Sequence, residues 1–230
     1  MELYEAAGDH RRPLSNRPYS WRIIMALAHK DVSAKRIGLP ISDKDRLAFS
    51  SQMLMPILVD GDLVLPDSWV IASHLEERLE SAPPLFDGAT SRACARFIHT
   101  WGKQRQTEDL VPMLVYDAWC HAHPDDGEYL RMTREARLGC TLEETLNRRD
   151  KHLQRFRDNL NSLRIIFGTQ RFICGDYPTY ADYIVFSHFQ WARSVSPYQL
   201  LEPHDPVFDW RERMFNLFNG LARNEPGYEV

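Results

Sequence analysis

With 230 residues, the chain is long enough for one large domain or two small ones, because domains cluster at about 100–150 residues. Its composition, 43% hydrophobic and 26% charged, is that of an ordinary globular protein, and no uncharged apolar run reaches the ~18 residues of a membrane span. A net charge of −4 provides no basic surface for nucleic acid. We therefore expect a soluble protein with neither a nucleic-acid nor a membrane partner.

The start of the chain and its cysteines bear on the compartment. Residues 1–5 lack the basic segment and apolar core of a secretory signal. The cysteines are widely spaced and form no Cys-x-x-Cys pair, which is typical of free thiols in a reducing compartment; they are Cys94, Cys120, Cys140 and Cys174. These features predict a cytoplasmic protein.

The first 80 residues alternate predicted strands and helices. Leu3-Tyr4 is a short strand, and residues 18–30 form an amphipathic helix that opens on Pro18, where the missing N–H costs nothing. An extended stretch over 33–41 and a short polar helix over 43–49 follow. The order up to this point is βαβα.

A hairpin and a further helix complete this part of the chain. Asp60-Gly61 stands between two β-rich runs within residues 56–65, which is the strongest short-range hairpin signal. A helix begins at Asp67-Ser68 and carries apolar residues at i, i+4 and i+8, namely Ile71, Leu75 and Leu79. The pattern predicts a ββα unit after the βαβα.

A proline-containing break at residues 81–84 divides the chain. We expect an α/β domain over residues 1–80, a linker over 81–88 and an all-helical domain over 89–230. The clearest helical signal is an apolar stripe maintained over seven helical turns; it comprises Leu142, Leu146, Leu153, Phe156, Leu160, Leu163 and Phe167.

Two more helices are indicated near the end of the chain. Thr179 and Asp182 form a [ST]-x-x-[DE] capping box, which opens an apolar run. A last helix is predicted at about 208–222, after three prolines. The capping box has a structural interpretation only.

Three stretches resemble the cytosolic glutathione transferases. Residues 17–22, Arg-Pro-Tyr-Ser-Trp-Arg, are similar to the Ser-Pro-Tyr-x-Trp-Arg segment of serine-type members related to bacterial β-etherases and fungal ether-cleaving transferases. Residues 55–72 and the box at Thr179 and Asp182 are the other two. The resemblance implies the glutathione-transferase fold: a thioredoxin-like N-terminal domain (βαβαββα) followed by an all-α domain.

The helix that begins at Pro18 is the expected thiol site. A helix N-terminus presents unpaired N–H groups and the positive end of a dipole, so a thiol placed there ionises more readily. Where serine-type relatives carry the thiol-activating Ser, this chain has Arg17. Arg17 could act through its charge, and Ser20 or Ser15 could donate a hydrogen bond; we rank Ser20 slightly ahead of Arg17, with Ser15 third.

The helix that begins at Asp67-Ser68 is the expected binding site for a carboxylate. Its N–H groups and the Ser68 hydroxyl suit an anion. The same residues are also ordinary helix caps. The resemblance implies that the carboxylate belongs to the γ-glutamyl end of glutathione.

The resemblance also assigns roles before the hairpin. The Met55-Pro56 bond is expected to be cis, which leaves the Met55 backbone to pair with the cysteine of glutathione as an added strand would. Relatives tend to carry a lysine shortly before this bond, where the chain has Met53-Leu54. Gln52 is a possible substitute for contact with the glycyl carboxylate.

Aromatic residues of the helical domain are candidates for a second-substrate pocket, although such residues more often belong to the core. We single out Tyr116, Trp119 and Arg193. His121 and His123 have no ligand-like pair nearby, and we expect no metal.

The leading hypothesis is a glutathione transferase that uses glutathione as co-substrate against an apolar electrophile, with no metal. Glutathione-dependent ether cleavage and cis-trans isomerisation are alternatives on the same fold. A non-catalytic glutathione-binding or stress protein is a third, favoured by the missing Ser. The resemblance implies a homodimer.

Overall fold

A mixed four-stranded sheet is the centre of the first part of the computed structural model, which describes residues 1–10, 17–52, 54–102 and 107–230. The strands are β1 (Glu2–Ala6), β2 (Lys35–Leu39), β3 (Ile57–Asp60) and β4 (Leu63–Pro66). Their order is β2-β1-β3-β4, with β1 and β2 parallel and the other pairs antiparallel. Gly61 turns the β3–β4 hairpin at φ 62°, a conformation that favours glycine. The predicted hairpin and the predicted succession of strands and helices along the chain are confirmed.

Two α-helices and one 3₁₀ helix accompany the sheet. They are α1 (Pro18–His29), α2 (Ser68–Arg78) and the 3₁₀ helix Asp45–Ser50, which stands where the sequence predicted a short polar helix. α1 contacts both α2 and α9, a helix of the second part that covers Tyr180–Val195. Because it is covered by neighbours on both sides, α1 is buried over nearly its whole length, whereas the sequence predicted one polar face.

In the described residues after 87, the regular elements are helices and contain no strand. The α-helices are α3 (Gly88–Trp101), α4 (Thr107–Cys120), α5 (Gly127–Leu138), α6 (Leu142–Leu146), α7 (Arg149–Asn159), α8 (Asn161–Phe167), α9 and α10 (Pro206–Asn224). Every residue of α9 is buried, and this helix contacts α1, α3, α4 and α10. The glutathione-transferase-like arrangement expected from the sequence, a thioredoxin-like part followed by a helical part, is therefore observed.

The apolar stripe between residues 142 and 167 spans three helices. Its residues still face the core, since Leu142, Phe156 and Leu163 are buried. The backbone leaves helical geometry at Arg148 (φ −110°, ψ 1°), and Leu160 (φ −85°, ψ −2°) ends α7 and precedes α8. A periodic pattern reports which residues face the core, and short breaks that keep the same face inward do not disturb it.

The capping box at the start of α9 is confirmed, and Asp182 does more than cap. Its carboxylate accepts from the Thr179 N–H at 3.0 Å, the Ile173 N–H at 2.9 Å and the Trp210 indole N–H at 3.0 Å. One buried side chain thus joins α9 to the preceding loop and to α10. The last helix, α10, is interrupted by non-helical residues at 217–220.

No helix in the described ranges combines the length and the apolar character needed to cross a membrane. The four cysteines are free thiols, as predicted.

Candidate functional site

A cavity of about 190 Å³ lies where the first turns of α1 and α2 meet the loop before β3. We call it the first cavity. It is lined by Tyr19, Gln52, Leu54, Met55, Pro56, Asp67, Ser68 and His99. All the residues that the sequence assigned to glutathione binding thus line one cavity.

The N-terminus of α2 forms the polar side of the first cavity. The Asp67 carboxylate caps the helix by accepting from the Trp69 N–H at 2.7 Å and the Val70 N–H at 3.4 Å. The backbone of Asp67 has φ 74° and ψ 129°, a conformation that non-glycine residues seldom adopt. Within the described part of the chain, the Ser68 hydroxyl forms no hydrogen bond. Ser68 can therefore donate to an anion in the cavity.

A hydrogen bond from helix α9 holds this end of α2. The Tyr180 hydroxyl is buried and donates to the Ser68 carbonyl at 2.7 Å. Burial raises the pKa of Tyr180, so the hydroxyl keeps its proton and acts as a donor. The first residue of α9 thus fixes the helix end that carries Ser68.

The loop before β3 forms the opposite side of the first cavity. The Met55-Pro56 bond is cis, as predicted. Pro56 is buried, whereas Gln52 is exposed at the rim. Met53, which replaces a residue of the relatives' motif, lies outside the described residues.

The N-terminus of α1 has no side-chain cap among the described residues. Arg17 is the N-cap residue. Pro18 has no N–H, so the first N–H groups of the helix belong to the residues that follow. This end of the helix offers partial positive charge to a thiolate.

The three candidates for thiol activation differ in position. Arg17 does not line the first cavity and instead lines a second one, described below. Ser20 is fully buried, lines neither cavity and has no hydrogen-bond partner for its hydroxyl in the described structure. Ser15 lies outside the described residues. In their place, Tyr19 is the residue of this turn that lines the first cavity.

A buried cation lies behind the first cavity. The Arg22 guanidinium is 4.6 Å from the centre of the Tyr19 ring, and Nη1 lies 3.2 Å from His99 Nδ1. Arg22 Nε donates to the Ser187 hydroxyl at 3.4 Å, while Nη2 has no partner in the described structure. Burial lowers the pKa of Arg22, and the nearby Tyr180, Tyr19 and Asp67 oppose that effect. Two lining residues are thus backed by one positive charge.

The second cavity, of about 30 Å³, lies on the other side of the first turn of α1. It is lined by Arg17, Val111, Val115, Ala118, Trp119, Leu130, Arg134 and Trp191, which come from the N-cap of α1 and from α4, α5 and α9. Because Arg17 and Tyr19 belong to the same turn, that turn borders both cavities.

The residues predicted for a second-substrate pocket separate in the structure. Trp119 lines the second cavity, and Tyr116 packs against it with ring centres 6.0 Å apart. Arg193 lines neither described cavity, since its guanidinium donates to the carbonyls of Ala222, Arg223 and Glu225. We therefore leave Arg193 out of the proposed pocket and assign it to the packing of the C-terminal segment.

The lining residues His99 and Arg134 carried no signal in the sequence. Tyr19 stands inside the motif at residues 17–22, and Trp191 is one of the aromatic residues of the helical domain that were candidates for a pocket. His99 and Arg134 are placed by tertiary packing alone.

The two histidines after α4 take part in hydrogen bonds within the chain. His121 pairs with Asp9 at 2.8 Å and with the Tyr228 hydroxyl at 2.8 Å, which ties three parts of the chain together. Among residues 1–10, 17–52, 54–102 and 107–230, no group of three potential metal ligands is present.

Two family models match the chain on either side of the proposed linker. The glutathione S-transferase N-terminal domain matches residues 16–78, and the glutathione S-transferase C-terminal domain matches residues 93–205. The chain belongs to the glutathione S-transferase superfamily. The first cavity lies mainly in the N-terminal domain of this superfamily, and the second lies mainly in the C-terminal domain.

Individual glutathione S-transferases support the assignment. Glutathione S-transferase U13 of Arabidopsis thaliana is 29% identical over 142 residues, and the match spans 59% of this chain and 60% of that relative. Glutathione transferase GSTFuA3 from Phanerochaete chrysosporium has a TM-score of 0.78 at 20% identity, covering 99% of this chain and 98% of that one. CsGST63524 of Ceriporiopsis subvermispora, in complex with glutathione, has a TM-score of 0.78 at 17% identity, covering 98% of each chain. At such identities the solved structures establish the fold.

Proposed function

We propose that the protein is a glutathione transferase that activates the thiol of glutathione at the N-terminus of α1 for attack on an apolar electrophile. The observation that carries this proposal is the first cavity, where the α2 N-terminus, the cis-proline loop and the first turn of α1 meet. A structural neighbour described in complex with glutathione supports the choice of ligand.

The first cavity provides a complementary group for each end of glutathione. The N–H and hydroxyl of Ser68 bind the γ-glutamyl carboxylate at the end of the α2 dipole. The Asp67 oxygen that the cap does not use accepts from the α-amino group. The Met55 backbone pairs with the cysteine of glutathione, and Gln52 contacts the glycyl carboxylate.

Activation of the thiol rests on positive potential and not on a side-chain hydroxyl. The open end of α1 and the cations Arg17 and Arg22 favour the thiolate over the thiol, whose proton passes to solvent. A shift of one pKa unit is worth about 1.4 kcal/mol. The sulfur then bonds to the electrophilic carbon, and the leaving group departs with its electron pair. No metal takes part.

Calorimetric titration with glutathione tests the proposal. We expect the wild-type protein to bind, and Ser68→Ala to weaken binding about tenfold because one hydrogen bond to a charged group is lost. Ser91→Ala is the matched control, since Ser91 is also a buried helical serine but lines neither cavity. A wild-type protein that does not bind glutathione contradicts the proposal.

The segment at residues 17–22 supports a finer assignment among serine-type members related to β-etherases. On that basis glutathione-dependent ether cleavage is the second candidate reaction, and cis-trans isomerisation is the third. Product analysis with an aryl ether and a maleyl compound separates them from simple conjugation. If conjugates of neutral halides form while both of these substrates are left intact, conjugation remains.

A binding protein without turnover is favoured by one feature of the site. Arg17 stands where serine-type relatives carry Ser, and the Ser20 hydroxyl lies in neither described cavity. Tight glutathione binding together with no accelerated reaction across a varied electrophile panel supports this alternative. Accelerated conjugation of any member contradicts it.

The remaining proposals concern organisation and location. We propose a homodimer, packed through α2 and α3, on which Val70 is 45% and Phe97 is 68% exposed. A single species of 26.9 kDa in sedimentation velocity contradicts it.

We also propose a domain boundary at residues 81–88, which limited proteolysis tests. We propose a cytoplasmic location as well, which cell fractionation tests.

A further inference from the structure

The second cavity combines apolar walls with cationic groups. Val111, Val115 and Leu130 provide the apolar surface, and Arg17 and Arg134 line the same space from the N-cap of α1 and from α5. Partial burial of two guanidinium groups costs free energy, and a ligand made only of hydrocarbon would not offset that cost.

The donors around the second cavity have few acceptors. In the described part of the chain neither Arg17 nor Arg134 forms an ion pair, and Arg134 donates to the Thr133 hydroxyl at 3.3 Å. Trp191 is 4% exposed, and its indole N–H has no hydrogen-bond partner there. Two guanidinium groups without a carboxylate partner and one indole N–H without an acceptor thus line one cavity in the described structure.

The charge around the second cavity is positive. Burial and, to a smaller extent, the charge of Arg134 lower the pKa of Arg17 to about 10. The charge of Asp126 acts in the opposite direction. The Asp126 carboxylate already accepts from the Ile41 N–H, the Ser42 N–H and the Ser42 hydroxyl, at 2.8, 2.8 and 2.6 Å. The Asp126 carboxylate is therefore hydrogen-bonded to the loop at residues 41–42, and its single charge does not neutralise both Arg17 and Arg134.

We propose that the second cavity binds a small anionic group, such as a carboxylate, carried by an otherwise apolar electrophile. This inference rests on the proposed function and names the class of the second substrate. The cavity of about 30 Å³ suits such a group, because one water-sized unit needs roughly 10–15 Å³. The apolar body of the substrate then extends toward the first turn of α1, where Tyr19 borders the first cavity.

Two glutathione conjugates differing in one charge test the proposal. S-(4-carboxybenzyl)glutathione carries the anionic group, and S-(4-carbamoylbenzyl)glutathione is its neutral analogue of nearly equal size. We expect the wild-type protein to bind the carboxylate conjugate at least tenfold more tightly in calorimetric titrations, because charge-assisted hydrogen bonds are the stronger kind.

Variants locate the preference. In Arg134→Met the ratio of the two dissociation constants should fall toward one, and in Trp191→Phe it should fall part of the way. Arg137→Met is the matched control, since it removes the same charge from the same helix but lines neither cavity, and it should keep the wild-type ratio. Thermal unfolding of each variant shows whether the fold is retained.

The outcomes separate this inference from the proposed function. If the wild-type protein binds glutathione and both conjugates equally well, the anionic subsite is wrong and the glutathione site stands. A preference for the carboxylate that survives in Arg134→Met also overturns the inference. If glutathione and both conjugates fail to bind, the proposed function fails, and the inference falls with it.

Discussion

Arg22 carries a buried charge that its described neighbours satisfy only in part. Its guanidinium is fully buried, contacts Tyr19 and His99 behind the first cavity, and leaves Nη2 without a partner in the described structure. We expect Arg22→Met to raise the pKa of bound glutathione, because a positive charge near the α1 N-terminus is lost. The conjugation rate at neutral pH should fall about tenfold for a shift of one unit and recover at higher pH.

A pH–rate profile checks this effect, with Arg22→Lys as the charge-retaining comparison. A positioning role predicts that the lysine variant restores part of the wild-type profile. An Arg22→Met protein with an unshifted profile and a lower melting temperature would show instead that Arg22 serves stability alone.

Residue-scale prediction agrees with the structure where a motif marks the position. The cis bond at Met55-Pro56 was expected from the family resemblance, and the cap at Asp67-Ser68 from helix-capping rules; both are observed. His99 reaches the first cavity because α3 packs there, and nothing in its immediate sequence reports that packing. Arg193 shows the converse, since its pattern fitted a pocket residue and its guanidinium holds the C-terminal segment.

At the scale of elements, α9 connects the helical part to the proposed glutathione site through Tyr180. We expect Tyr180→Phe to lower the free energy of unfolding by about 1 kcal/mol, the net value of one buried hydrogen bond. Because the lost bond holds the end of α2 at Ser68, glutathione affinity should fall as well. Thermal unfolding and calorimetric titration measure the two effects.

The same helix supplies the control. Tyr183→Phe removes another buried hydroxyl, which pairs with His29 Nδ1 at 2.5 Å, away from the residues that line the first cavity. It should cost similar stability and leave glutathione affinity unchanged. Equal losses of affinity in both variants would show that α9 acts through general packing and not through Ser68.

Element prediction was accurate for short motifs and poor for one long pattern. The hairpin, α2 and the capped start of α9 each carry a turn or cap residue that marks their limits. The stripe over 142–167 reports a buried face, so it could not reveal that the chain turns near Arg148 and Leu160. The sequence also did not predict how deeply α1 is buried, because α9, the helix that covers it, lies far away in the sequence.

For the whole molecule, buried histidines make stability depend on pH. Burial, aided by the charge of Arg22, lowers the pKa of His188 from 6.5 to about 3, and burial lowers that of His29 to about 4. Between about pH 6.5 and 4 these two histidines bind protons in the unfolded chain and stay neutral in the native state. Stability should therefore fall with decreasing pH in this window, by about 1.4 kcal/mol per pH unit for each histidine.

Denaturant unfolding at several pH values checks this dependence. His188→Phe should reduce the slope by the share of one proton. His204→Asn changes an exposed histidine in a loop at φ 73°, a conformation that asparagine tolerates, and serves as control. A slope that His188→Phe leaves unaltered would contradict the assignment.

The first turn of α1 lies between two cavities, and the residues that line each cavity come mainly from different parts of the sequence. The residues facing the first cavity come from positions 19–68 together with His99, whereas those facing the second, apart from Arg17, come from positions 111–191. Under the proposed function, substitutions in the later stretch alter the choice of electrophile and leave the residues proposed for thiol activation in the first cavity intact. The range of electrophiles can then drift while glutathione is retained as the co-substrate.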